Sequence, residues 1–322
     1  MILVCGGAGY IGSHMVYKLV EENEEVCIID NLSTGKEKLI HPDVKFYEGS
    51  IEDDKLMDKI FSENNIDSVI HFAAFSQVGE SVEKPLKYYK NNVYATMKLL
   101  ESMDRNNVKN IVFSSTAAIF GDVKKMPITE DIEKNPTSPY GETKLAIEKM
   151  MHWMDNVGKI NYVSLRYFNV AGAHHSSKIG EAHEPESHLI PIVLQVALGE
   201  RDKIYIFGDD YNTKDGTCIR DYIHVQDLAD AHLLSVNYLR DNGKSNVFNL
   251  GNGEGFSVKE IIKASRKVTN KEIIAEMADR RLGDPAKLIA SSKKIKDKLG
   301  WEPKYTNIED IIRSAWNWHK KG

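Results

Sequence analysis

The chain has 322 residues, 42% hydrophobic, 28% charged and 9% aromatic, an ordinary globular composition with ample apolar material for a large core. Lys plus Arg total 42 against 47 Asp plus Glu, a formal net charge of −5, so no global basic field would draw nucleic acid or an anionic membrane, and an anionic ligand must be held by local groups. Three scattered cysteines, Cys5, Cys27 and Cys218, exclude a disulfide framework or a paired-cysteine metal knuckle and point to a reducing, cytoplasmic setting. The N-terminus runs into a glycine cluster without a basic, apolar leader, and no run of about 18 apolar residues occurs, so neither a signal peptide nor a membrane span is expected.

The first half alternates β-type runs with helical periodicity. Strands are predicted at 2–5, 25–29, 44–47, 68–72, 110–114 and 162–166, with helices at 11–22, 53–64, 88–103 and 140–156, where apolar residues return every three or four positions. Parallel strands joined by right-handed crossovers make this an α/β fold with a doubly wound, Rossmann-type sheet. After Gly172 the rhythm breaks. The polar stretch 174–187 reads as a solvated excursion loop, followed by a helix at 189–198, a strand at 203–207, a polar loop and mixed elements up to Trp316. This predicts a dinucleotide-type domain over 1–172 and a smaller α/β substrate-binding domain over 173–322, part of which weaves back onto the first sheet.

Gly6, Gly9 and Gly12 stand where the first strand ends and the first helix opens. Residues without Cβ allow a tight turn and let the backbone approach a pyrophosphate, which then rests on the helix N-terminus, where free N–H groups and the dipole favour negative charge. Asp30, 18 residues beyond Gly12 at the end of the second strand, is placed to accept hydrogen bonds from the adenosine ribose hydroxyls and would repel a 2′-phosphate. The cofactor expected is NAD rather than NADP.

A tyrosine serves as a base near neutral pH only when a nearby cation or dipole lowers its pKa, and a lysine four residues on along a helix can do so. Two pairs have that spacing, Tyr94/Lys98 and Tyr140/Lys144. Tyr140 follows Ser138-Pro139, an N-cap and first-turn pair, so it lies where the helix dipole favours phenolate. A strand running into Ser114, Ser115 and Thr116 brings hydroxyls to a carboxyl end of the sheet, where ligands of such folds bind. Tyr94/Lys98 reads as part of a packing or interface helix.

The opening glycines, Thr116 and Tyr140-Gly141-Glu142-Thr143-Lys144 resemble the extended short-chain dehydrogenase/reductase family. Val78-Gly79-Glu80-Ser81, Arg166-Tyr167-Phe168-Asn169, Gly172-Ala173-His174 and the run from Gly216 to Val225 resemble its UDP-glucose 4-epimerase branch, and matches of this kind extend from residue 2 to about 318. The resemblance implies interconversion of UDP-galactose and UDP-glucose by inversion at C4 through a transient 4-keto intermediate, with tightly bound NAD accepting and returning the hydride. Tyr140 would take the proton of the sugar 4-hydroxyl, Lys144 would lower the tyrosine pKa and bond the nicotinamide ribose, and Thr116 would hydrogen-bond the reacting oxygen. The pattern also maps cofactor contacts onto Tyr10, Ile11, Asn31, Ser33, Thr34, Gly35, Ser50, Ile51, Phe72, Ala73, Ala74, Ser76, Asn91, Ser114 and Phe168. Ser50 and Ser76 depart from the aspartate and lysine of many members. Nucleotide-sugar contacts map onto Asn169, Leu189, Tyr205, Phe207, Arg220, Arg281, Asp284 and Leu288, the two arginines being suited to a diphosphate. A homodimer built on helices 88–103 and 140–156 is the family expectation.

Leu288 is smaller than the tyrosine of strict glucose/galactose members, which leaves UDP-N-acetylated hexosamines, or UDP-uronic acids, as alternative substrates. A 4,6-dehydratase would need an acid and a base after Thr116, where Ala117-Ala118 stand. A non-catalytic NAD-binding regulator would lack the tyrosine or the lysine. His174, His175, His183 and His188, interleaved with Glu181, Glu184 and Glu186, match no zinc spacing, and no metal is assigned.

Overall fold

The computed structural model describes residues 1–281 and 284–321. The first apolar runs form β1 (Ile2–Cys5), β2 (Val26–Asp30), β3 (Lys45–Glu48) and β4 (Ser68–His71), followed by β5 (Asn110–Thr116), β6 (Asn161–Tyr167) and the short β7 (Asn169–Ala171). Beyond them come β8 (Ile204–Phe207), β9 (Ile219–His224), β10 (Asn246–Leu250), β11 (Gly255–Ser257), β12 (Ala275–Ala278) and β13 (Lys287–Leu288). β1, β2 and β4 are buried at every residue, as expected of parallel strands covered on both faces.

The main sheet has the order β3-β2-β1-β4-β5-β6-β10, all parallel, so the chain reverses direction across the sheet between β1 and β4, the switch point at which such folds bind ligands. Its last strand comes from residue 246 onward and pairs with β6, so the later half does return to the first sheet. Two smaller sheets, β11-β9-β13 with β7 on β9, and β12-β8, lie beside it.

The crossovers are α1 (Tyr10–Glu21), α2 (Asp54–Glu63), the short α3 (Val78–Glu83) and α4 (Pro85–Tyr88), α5 (Ala95–Arg105) and α6 (Pro139–Asn156). The later helices are α7 (Leu189–Leu198), α8 (Val225–Arg240), α9 (Val258–Thr269), α10 (Lys293–Leu299) and α11 (Ile308–His319). Met15, Leu19, Leu228 and Leu239 of α1 and α8 pack one face of the sheet, while Met57, Leu99, Met103 and Met151 of α2, α5 and α6 pack the other. A separate core of α7, α9 and α11 supports β9 through Tyr222.

The helix expected at 88–103 runs without a break from Pro85 to Arg105, but it widens in its middle. A wide turn of π type, Tyr89–Tyr94, joins α4 to α5. There the Asn92 side chain accepts from the Phe75 amide at 2.9 Å and donates to the Phe75 carbonyl at 3.0 Å and to the Thr143 hydroxyl at 3.2 Å. Such wide turns are frequent at functional sites, and this one sets Asn92 between the cleft wall and α6.

Candidate active site

A cleft of about 1320 Å³ runs along the carboxyl ends of the main-sheet strands and is lined by every predicted site residue except Leu189, Tyr205 and Phe207. At its switch-point end α1 begins with Gly9 as N-cap, with no side-chain cap and no acidic residue in the first turn, so its opening amides are left for an external anion. A Cβ on Gly12 would stand 2.1 Å from the Gly6 carbonyl oxygen, so the loop closes on the helix only with glycine there. At Gly9 the nearest atom to such a Cβ is 3.4 Å away. Its smallness therefore serves the cleft rather than the loop.

Asp30 is buried, with one carboxylate oxygen accepting from the Ala8 amide at 2.9 Å and the other from the Leu32 amide at 2.8 Å. Burial raises its pKa and these two amides pull it back. Each oxygen keeps a lone pair for a ribose hydroxyl. The donor set, an uncapped helix start beside a fixed carboxylate, fits a dinucleotide. Tyr10 contributes backbone, because its hydroxyl is committed to the Gly172 carbonyl at 2.6 Å.

α6 starts where the Ser138 hydroxyl accepts from the Gly141 amide at 3.2 Å, with Pro139 in the first turn. Its register against the sheet is held by a buried pair in which Arg166 of β6 donates to both oxygens of Glu148, at 2.9 and 2.6 Å, while Ser115 donates to Glu148 at 2.6 Å. Tyr140 and Lys144 thereby stand over the end of β5, beside Thr116. Lys144 is 2% exposed and donates to the Ser114 carbonyl at 2.8 Å. Burial pulls its pKa down to about 7, with Glu148 opposing.

Burial pushes the Tyr140 phenol above its ordinary value and the Thr116 hydroxyl draws it back, while the lysine's ammonium is directed at a carbonyl. The Ser114 hydroxyl in turn hydrogen-bonds the Tyr167 hydroxyl.

At the opposite end Arg220 donates to the carbonyls of Ile219 and Pro285 at 3.0 and 2.8 Å and reaches Asp284 at 3.4 Å. Arg281 lies on the Phe207 ring at 3.9 Å. Asn169 donates to the Asp221 carbonyl at 3.1 Å, and Leu288 pairs in register with Arg220. Of the three predicted residues outside the cleft wall, Leu189 packs into the cores around α7, Tyr205 is exposed, and Phe207 serves as the platform under Arg281.

A family model described as GDP-mannose 4,6 dehydratase matches residues 3–315. A UDP-glucose 4-epimerase of Halalkalibacterium halodurans is 59% identical over 320 residues, covering 99% of this chain and 96% of that one. The chain belongs to this family, on its UDP-glucose 4-epimerase branch. A crystal structure of a UDP-glucose 4-epimerase, 59% identical, superimposes with a TM-score of 0.98 over 99% of this chain and 97% of that one. The Bifidobacterium longum UDP-glucose 4-epimerase, solved in complex with NAD+ and UDP, is 41% identical with a TM-score of 0.93, covering 100% of this chain and 98% of that one.

Seen as an epimerase-branch cleft, the wall contains residues that sequence reasoning left out. Gln77, Lys87, Asp122 and Thr137 line it, as do Glu181, His183 and His188. The excursion 174–187 is irregular, as expected, but it is not solvated throughout, since the Glu181 and Glu186 side chains are each 4% exposed. Its burial depends on the indole N–H of Trp318, which donates to the Glu181 carbonyl at 3.1 Å from 137 residues away, and no local pattern announces that contact.

Proposed function

We propose that the protein interconverts UDP-galactose and UDP-glucose by inversion at C4 through a transient 4-keto sugar, with NAD held throughout the cycle. The observation that carries this reading is the position of Tyr140, Lys144 and Thr116 in one cleft, between an uncapped helix start with its carboxylate at one end and two arginines at the other. Bound in the first arm, NAD supplies a hydride acceptor that also returns the hydride. The chain's own groups do the rest. Tyr140 takes and restores the proton of the sugar 4-hydroxyl, Thr116 orients that oxygen, and Lys144, one helical turn from the phenol and anchored to the Ser114 carbonyl, reaches the nicotinamide ribose and favours loss of the phenol proton when it is charged. Arg220 and Arg281 grip the diphosphate, each with guanidinium N–H groups beyond those already bonded to protein.

The dehydratase reading finds no support, because the two positions after Thr116 are Ala117 and Ala118, whose methyl groups line the cleft and move no proton. Residues 1–172 would hold most of the dinucleotide and 173–322 most of the nucleotide-sugar. We assign the protein to the cytoplasm, which three unpaired cysteines favour, and to a homodimer. The decisive experiment is incubation of purified protein with UDP-galactose, without added NAD, followed by chromatography. Appearance of UDP-glucose is expected; no conversion even with NAD supplied would reject the reading.

A further inference from the structure

The short helix α3 has no apolar anchor. Of its six residues only Ser81 is buried, while Val78 and Val82 are 47% and 62% exposed. Val78, Gly79 and Glu80 line the cleft, and Ser81, fully buried, stands behind them. For packing alone an alanine would serve at that position, without the cost of taking a hydroxyl out of water. The bonds of the hydroxyl therefore decide what it is for.

Ser81 Oγ donates to the Val78 carbonyl at 2.6 Å, a bond within its own helix that spends the single hydroxyl hydrogen. Its remaining capacity is as an acceptor, and it takes the backbone amide of Tyr140 at 3.2 Å from 59 residues away. The first turn of α6 leaves that amide over. Pro139 has no N–H, Ser138 Oγ takes the amide of Gly141, and the amide of Glu142 opens the helical ladder on the Ser138 carbonyl at 3.0 Å. Helix starts of this kind depend on a partner from outside, and here the partner comes from the cleft wall.

The carbonyl of the same residue is held too. The Thr143 hydroxyl donates to it at 2.7 Å and is itself the acceptor for Asn92 at 3.2 Å. The phenol hangs at the far end of a long side chain from this backbone, so a small rotation of the backbone is amplified at the hydroxyl that must meet the sugar. Glu80, next to Ser81, receives the Tyr88 hydroxyl at 3.0 Å and the Lys87 ammonium at 2.8 Å, which fastens α3 to α4. Wall and tyrosine backbone form one unit.

We propose that Ser81 is a positioning residue: by accepting the amide of Tyr140 it fixes the phenol over the end of β5 and ties it to the α3 wall of the cleft. The anchor rests on hydrogen bonds, and only its effect on turnover rests on the epimerase reading. The test uses holoenzyme isotopically labelled on tyrosine nitrogen, with the Tyr140 amide signal identified by its loss in Tyr140→Phe. In the wild type this amide should exchange slowly with solvent, and in Ser81→Ala at least about tenfold faster, with the amides of Tyr162 and Tyr167 in β6 unchanged. With UDP-galactose as substrate, Ser81→Ala should lower kcat about 10- to 100-fold while KM and retained nucleotide stay within about twofold of wild type. Ser81→Thr keeps the hydroxyl and should recover most of that loss, and Glu83→Gln, on the exposed side of the same helix, should match the wild type throughout.

A wild-type Tyr140 amide that exchanges freely would overturn the anchor whether or not the variants fold, and so would equal exchange in wild type and Ser81→Ala. Faster exchange in Ser81→Ala with kcat unchanged, or a change confined to KM and nucleotide content, would overturn the positioning role and make Ser81 a packing residue of the wall. If the wild type leaves UDP-galactose unconverted, the epimerase reading fails while the exchange rates still decide the anchor.

Discussion

The two glycines at the start of α1 separate the needs of the loop from those of its ligand. At Gly12 an added methyl meets the Gly6 carbonyl at 2.1 Å, so Gly12→Ala should cost about 3 kcal/mol of stability by overpacking. Gly9 has extended backbone and room, so Gly9→Ala should cost no more than about 1 kcal/mol, from the poorer N-cap, while the cofactor retained on purification falls sharply. Urea titration and nucleotide content, measured on both variants, check the contrast; equal nucleotide retention in Gly9→Ala and wild type would remove the phosphate site from Gly9. At the other functional residues the hydroxyl of Tyr140 is the group expected to move a proton, so Tyr140→Phe should lower kcat by about 10²–10⁴-fold with nucleotide content unchanged. Lys144 has a stability signature of its own. Its folded pKa of about 7 lies below the unfolded lysine value, so between about pH 7 and 10 the unfolded chain binds more protons than the folded one, and stability rises with pH. The rise amounts to a few kcal/mol at most, on the order of 1.4 kcal/mol per pH unit. Urea midpoints of the nucleotide-free chain should therefore climb over that window, and the climb should be absent in Lys144→Met.

Among the elements, α6 is the carrier of the chemistry, and what holds it is spread across the chain. Ser138 caps it, Glu148 ties it to Arg166 of β6, and Asn92 of the wide turn before α5 reaches its Thr143 while gripping the Phe75 backbone in the cleft wall. Asn92→Ala would leave the half-buried Phe75 amide without its side-chain partner, so a loss of about 1–2 kcal/mol is expected from urea unfolding. Because the same side chain spans cofactor wall and catalytic helix, kcat should fall with KM for the nucleotide-sugar little changed; a KM effect alone would make it a packing residue. The strands of the main sheet, the glycine turn and the Ser138-Pro139 helix start were legible in the sequence because their causes are local: an apolar run, a missing Cβ, a cap adjoining its helix. The wide turn at 89–94 was not, because the Asn92 side chain it presents is bonded to residues 75 and 143, far along the chain. That Phe207 lies under Arg281 was not legible either, since the pairing of β8 with β12 that sets its position joins segments about 70 residues apart. The buried carboxylates of 181–188 were hidden for the same reason, with Trp318 and Tyr10 supplying cover from the two ends of the chain.

On the scale of the whole molecule, the later half both completes the main sheet through β10 and builds the second arm of the cleft, so the two halves are not independent. Tyr10 of α1 bonding Gly172, and Arg240 of α8 bonding Glu24 and Asp67, bind them further. What this monomer leaves uncovered is the outer side of the elements from α3 to α6. Leu86 is 81% exposed and Trp153 67%, and Val82, Tyr94, Met97 and Val157 are exposed with them. Scattered exposed apolar residues are normal, and a set concentrated on adjacent helices is the kind of surface the proposed homodimer would use. A second copy packing its α5 and α6 against this pair would bury them in a four-helix arrangement. Tyr94 has an exposed ring and lies outside the cleft, so Tyr94→Glu places a charge in that arrangement without touching the chemistry. Light scattering should then give half the wild-type mass, with far-UV circular dichroism unchanged, because the substitution is on the surface of each folded chain. An unchanged dimer mass would move the interface elsewhere, and a wild type already monomeric would leave these apolar side chains without the partner argued for them.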